Sequence, residues 1–286
     1  MISPTRSRDG ARLKTGRAFK ICRSAGLGAL AAVGLAASLA PQQRNRSDHT
    51  PGFLSKSIPV PVQEKQDDVE FTFVRAVYTG LGGWGYYKSW QTDWPKADRQ
   101  FILGIKRLTN IKVADTERTI PLTDPEIFKY PFVYSVECGH WDLTEAETTS
   151  LREYLERGGF LFCDDFWGSW EWENFQQNLG RVLPGAKIVE VPLSHPIFHC
   201  YYDIPQILQV PNVGNALYRG VTYEQDGYVP HCRGIFDTSG RLMVVINWNT
   251  DIGDAWEWAD LPGYPARYST YAYQMGINSI VYAMSH

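Results

Sequence analysis

The sequence has no Cys-x-x-Cys pair, and its five cysteines, Cys22, Cys138, Cys163, Cys200 and Cys232, are odd in number. That argues against a zinc ribbon and against a disulfide scaffold. Cys138 and Cys163 lie within apolar runs and read as small buried hydrophobes. No excess of positive charge exists either. The net charge of −3 excludes, on charge grounds, a chain that binds nucleic acid along its length. The domain has no internal repeat and no low-complexity tract. Its glycines at 80, 82, 83 and 85 do not have the Gly-x-Gly-x-x-Gly spacing of a dinucleotide site.

No apolar run reaches the length of about 20 residues that a membrane span needs. The nearest is Ala25–Ala40, uncharged and rich in Ala, Leu and Gly. It follows a basic segment with Arg6, Arg8, Arg12, Lys14, Arg17, Lys20 and Arg23 against one acid, Asp9. This pattern predicts a secretory signal over residues 1–40. Pro41 directly after Ser38-Leu39-Ala40 hinders cleavage there, so an uncleaved anchor is the alternative. Either way the remainder is expected outside the inner membrane, in the periplasm or anchored facing it. Residues 41–68, polar with Pro51, Pro59 and Pro61, read as a flexible linker. The folded domain is expected over 69–286.

What the domain does contain is an alternation of strand-like and helix-like segments, which predicts an α/β fold with a mostly parallel sheet. Strands are expected at 69–78, 111–114, 132–136, 160–163 and 187–191. A hairpin is expected from 228–236 and 241–248, turning at Asp237-Thr238-Ser239-Gly240. Helices are expected at 98–109, from the capping box Thr144-Glu145-Ala146-Glu147 to Arg157, at 171–182 and at 268–284. The acidic, Trp-rich stretch 249–260 and the glycine-bearing stretch through Trp94 read as loops.

The central strand Gly158–Gly168 ends in Asp164-Asp165. Ligands of open α/β sheets bind at strand carboxyl ends. The candidate binding residues at that edge are Arg75 and Tyr78 after the first strand, Glu137 and His140 after the third, Asp164 and Asp165 after the central one, and Asn247, Asp251 and Asp254 after the last. Carboxylates in such proximity call for a cation or an arginine, and a hard divalent cation favours oxygen ligands. The ordinary structural use of the same residues has Asp165 capping the next helix and Arg75 pairing with Asp164. His195 before Pro196 reads as a hydrogen-bonded structural residue. Tryptophans at 84–94, 167–172 and 248–258 read as packing, with sugar stacking as the alternative.

Several stretches resemble a bacterial family of unknown function, number 4159. They are Phe71-Thr72-Phe73-Val74-Arg75, Trp94-Pro95-Lys96-Ala97-Asp98-Arg99, Asp124-Pro125-Glu126-Ile127-Phe128, Leu151-Arg152-Glu153-Tyr154-Leu155, Gly158–Asp165 and His195-Pro196-Ile197-Phe198. The resemblance implies a flavodoxin-like, class I glutamine amidotransferase-like three-layer sandwich with a β-hairpin addition, and no established activity. That class uses a nucleophilic Cys on a strand-to-helix elbow. Here Cys163 is followed by two acids and lacks the small residues of an elbow. Active amidotransferase chemistry is therefore not expected. The expectation is a non-catalytic ligand-binding or assembly module. The alternative is an envelope hydrolase acting on a sugar or amide through Asp164 and Asp165, with or without a divalent metal. The partner is a small molecule or carbohydrate, with no nucleic acid and membrane contact only through the amino-terminal segment. No cofactor is firmly implied.

Overall fold

The computed structural model describes residues 68–82 and 88–286. The signal or anchor reading and nearly all of the linker reading fall outside the described residues, as do residues 83–87. Among the described residues no helix is long and apolar enough to cross a membrane.

Seven strands form one sheet in the order β2-β1-β3-β4-β7-β6-β5. They are β1 (Val74–Val77), β2 (Arg118–Pro121), β3 (Phe132–Val136), β4 (Phe160–Asp164), β5 (Val189–Glu190), β6 (His231–Phe236) and β7 (Leu242–Trp248). The five from β2 to β7 are parallel; β6 runs antiparallel between β7 and β5. The helices are α1 (Lys96–Leu108), α2 (Glu145–Glu156), α3 (Gly168–Val182), α4 (Ile252–Glu257) and α5 (Ala266–Ser285).

Side chains on a strand alternate between the two faces, and each face has its own apolar cover. Phe73, Tyr134 and Phe162 pack under Phe101 of α1, Trp256 of α4 and Met275 of α5. Val133, Leu161 and Val244 pack under Leu151 of α2 and Phe175 of α3. The result is three layers, helix–sheet–helix. The Phe101 and Trp256 rings stack with centroids 4.1 Å apart, a pairing that contributes about 1 kcal/mol beyond the area it buries.

Helix ends follow local chemistry. The Thr144–Glu147 capping box forms at the start of α2, and Gly158 ends the following turn at φ 103°, a conformation that glycine adopts without steric cost. Three expectations need correction. Residues 111–114 contribute only a bridge, Phe71 to Val113; the second strand lies at Arg118–Pro121, where Leu122 N and Arg118 N bond the backbone beside β1. The expected first and fifth strands are shorter than read. The stretch 249–260 is not all loop. Asp251 accepts a hydrogen bond from Asp254 N at 2.8 Å, which caps α4, and Trp256 drives that helix into the core.

Candidate functional site

Four acids come from the connections that follow four adjacent parallel strands. Asp93 lies in the β1–α1 connection, Glu137 follows β3, Asp165 follows β4, and Asp251 follows β7 and begins α4. All four line one cavity of about 520 Å³, together with Asp254, Glu257, Glu224 and, among the described residues, a single cation, Lys88. Oxygens of Asp93, Asp165 and Asp251 lie within 4.8 Å of one another, and so do those of Asp93, Asp254 and Glu257.

The residues expected at this edge divide into two sets. Glu137, Asp165, Asp251 and Asp254 line the cavity. Asp164 does not. Alternation along β4 turns it toward α4, where it accepts from Ile252 N at 3.1 Å, Gly253 N at 2.8 Å and the Tyr134 hydroxyl at 3.0 Å. Arg75 is also sealed in the core. Its partner is Asp98 of α1, not Asp164. The same guanidinium donates to the carbonyls of Trp90 and Thr92, each at 3.0 Å, so it positions the loop that presents Asp93. Asn247 donates to Cys163 O at 3.1 Å, and the Tyr78 hydroxyl donates to Val136 O at 2.8 Å. Both fix strand ends, and neither lines the cavity. Asp165 does not cap α3, whose first residue is preceded by Trp167; its Oδ1 accepts from Trp167 Nε1 at 2.8 Å.

His140 stands beside the cavity in a second polar group. Its ring nitrogens lie 3.4 Å from Glu137 and 3.5 Å from Glu171. Lys88 Nζ reaches Glu171 at 3.2 Å, Glu137 at 3.7 Å and Glu224 at 3.8 Å. This lysine offsets part of the negative charge on one wall. On the other wall, the cations that act on the acids lie outside the cavity lining: Arg75 on Asp93 and Lys96 on Glu257.

The electrostatics follow from that imbalance. Burial, then repulsion from Asp254 and Asp165, hold the Asp93 carboxyl well above its ordinary range. Asp251 is displaced upward by burial and then by Asp165 and Asp254. Burial raises Glu137 too, and Asp165 adds to the shift. Asp165 is pushed up to about 7 by burial, against the opposing pull of Lys88. Asp254 also reaches about 7, with burial as the main cause. Asp164 stands at about 8 because burial outweighs the amides that it accepts from. Desolvation disfavours the charged form of any buried acid, and a neighbouring like charge disfavours it further. Burial also lowers His140.

Several candidates lie elsewhere. Cys138, Cys163, Cys200 and Cys232 are free thiols. Cys163 is inaccessible, and burial raises its thiol well above the ordinary value. Cys232 is buried while its neighbour His231 is half-exposed on the other face. His195 caps the turn Pro196–Phe198 by accepting from Ile197 N. Trp167 and Trp256 are core residues, whereas Trp94 and Trp170 are exposed. The sequence reading missed Asp93, Lys88, Glu171, Glu224 and Glu257. Asp93 and Lys88 sit in the aromatic loop with no periodic pattern around them. Glu171 has the ordinary appearance of an acid in a helix's first turn.

The family described as Domain of unknown function (DUF4159) matches residues 72–284, and the chain belongs to it. Comparison with curated proteins finds no match.

Proposed function

We propose that this member of the family is an exported binding module in which a hard divalent cation, held by Asp93, Asp165 and Asp251, completes a cavity for a small polar molecule or sugar. One observation carries the reading: three carboxylates from the connections after three separate strands bring oxygens within 4.8 Å of one another. Oxygens bound to one Ca²⁺ at about 2.3–2.6 Å lie at most about 5 Å apart, whereas Mg²⁺, with bonds of about 2.0–2.1 Å, draws them within about 4.2 Å. Oxygens within 4.8 Å of one another are within reach of one such ion, without distinguishing the two. Among the described residues, seven lining acids against one lysine oppose an anionic ligand. The scaffold is read as flavodoxin-like and similar to class I glutamine amidotransferases, since its five parallel strands, numbered among themselves, run 2-1-3-4-5. The sealed, acid-flanked Cys163 argues against that class's chemistry. Export rests on the charged and apolar pattern of residues 1–40.

The test is calorimetric titration of the full-length, chelator-stripped protein with Ca²⁺ and with Mg²⁺. Saturable binding of a divalent cation, abolished by Asp165→Asn, is expected. Absence of binding at millimolar concentrations of both ions would overturn the reading. A second reading is a hydrolase using the same cavity. It is favoured by Asp165 and Asp254 standing at about 7, where a general acid or base is most effective. Its signature would be turnover of a sugar or amide substrate lost in Asp165→Asn.

A further inference from the structure

Asp93 belongs to both three-carboxylate groups of the cavity, one with Asp165 and Asp251 and the other with Asp254 and Glu257. We infer that Asp93 is a bridging ligand and that the cavity holds two divalent cations, one in each group. This rests on the cation reading above and deepens it by a second site.

Two observations besides the count of acids support the pair of ions. Asp93 Oδ2 is buried and accepts no hydrogen bond. It is wedged so closely that a methyl group added at Gly253 would stand 2.6 Å from it. An acidic oxygen shut away from water with no donor is costly, and a shared cation pair would satisfy it.

The other carboxylates are already oriented by donors from the protein. Asp165 Oδ1 accepts from Trp167 Nε1, and Asp251 Oδ1 accepts from Asp254 N at 2.8 Å. Asp254 accepts from Val213 N and from Trp258 Nε1, the latter at 3.0 Å. Carboxylates that ligate metals are held by outer hydrogen bonds of this kind. Neither Asp165 Oδ2 nor Asp251 Oδ2 has a donor among the described residues, which leaves one oxygen of each for the first ion; both oxygens of Asp254 already accept a hydrogen bond, so it would ligate the second ion through a remaining lone pair.

Two divalent ions sharing one carboxylate would neutralise acids on both sides at once. Paired metals in proteins commonly stand about 3.5–4 Å apart, a separation that one carboxylate can span.

The experiment counts ions. The full-length protein is stripped with chelator, loaded with Mn²⁺ or Ca²⁺, freed of excess by gel filtration and measured by elemental analysis. Two ions per chain are expected, and the Mn²⁺ form should show an exchange-coupled electron paramagnetic resonance spectrum. Glu257→Gln should leave one ion and abolish the coupling. Asp93→Asn should weaken both sites by at least about tenfold, as loss of a supporting metal contact commonly does. Circular dichroism of each variant checks that it is folded, and Glu257→Asp replaces Glu257→Gln if the latter is not. One ion per chain in the wild type, removed by Asp165→Asn and untouched by Glu257→Gln, would overturn the second site and leave the first standing. No retained ion and no titratable binding would overturn both.

Discussion

Asp93, Glu137 and Asp165 have left-handed backbones, with φ of 62°, 52° and 50°. Such a conformation costs a residue with a side chain about 1–3 kcal/mol, and it persists where surrounding structure imposes it. Aspartate tolerates it better than most; glutamate has no such advantage. In Glu137 and Asp165 the reversal comes directly after the last residue of a strand. It swings the carboxylate off the strand direction and into the cavity. Asp165 can therefore be probed at two levels. Asp165→Asn keeps the left-handed preference and a group able to accept from Trp167, but removes a buried charge. At pH 8 with chelator present, this variant should be more stable than the wild type by a few kcal/mol, since one pKa unit corresponds to about 1.4 kcal/mol. Asp165→Ala should fall below Asp165→Asn by roughly 1 kcal/mol or more, from the lost hydrogen bond and the strained backbone. Urea denaturation of both variants measures the difference. Equal stability of the three proteins would show that the charge at residue 165 is not buried at a cost.

At the scale of elements, the site depends on how α4 is fastened to β4. Asp164 takes the first amides of this six-residue helix, Ile252 N and Gly253 N, and the Tyr134 hydroxyl. Asp164→Ala would leave three buried donors without their acceptor. A loss of about 3 kcal/mol or more is expected, because each buried donor left unsatisfied costs about 1–3 kcal/mol. A loss below about 1 kcal/mol in chemical denaturation would mean that water replaces the carboxylate. The sequence made much of this scale legible. The capping box, Gly158 and the apolar run of β4 each carry a local signal and each forms as read. The helix α4 was hidden because its three buried apolar residues, Ile252, Ala255 and Trp256, are too few and too closely spaced to show a helical period, and its cap, Asp251, looked like a loop acid. The role of Asp164 was hidden for another reason. Alternation places Asp164 on one face of β4, but which helix covers that face is decided by β7, which is distant in sequence. The same holds for Arg75, whose partner Asp98 is fixed only when α1 lies across β1. Asp93 had no local signature at all. It enters the site because Arg75 ties down the backbone on either side of Gln91.

For the whole molecule, the consequence is an unusual dependence of stability on pH. Aspartate in an unfolded chain titrates near 3.9, whereas Asp165 and Asp254 stand at about 7 in the folded protein. Asp93, Asp251 and Glu137 are displaced in the same direction. Between these limits the folded state binds more protons than the unfolded state. The slope of unfolding free energy with pH is then negative. The penalty is absent below about pH 4, grows as pH rises and is complete once pH exceeds the folded values. In chelator, the melting temperature should therefore fall between pH 5 and pH 8, whereas many proteins are at their most stable in this range. Saturating Ca²⁺ should reverse the trend. It binds the ionised carboxylates, so its affinity rises as they lose protons, and its stabilisation grows with the ratio of free ion to dissociation constant. Melting curves at pH 5, 6, 7 and 8, each with chelator and with Ca²⁺, would separate the two limbs. The curves should nearly coincide at pH 5 and diverge most at pH 8. If the chelated protein instead becomes more stable up to pH 8, the acids of the cavity are solvated and charged in the free protein. The cation would then not be needed to offset their burial.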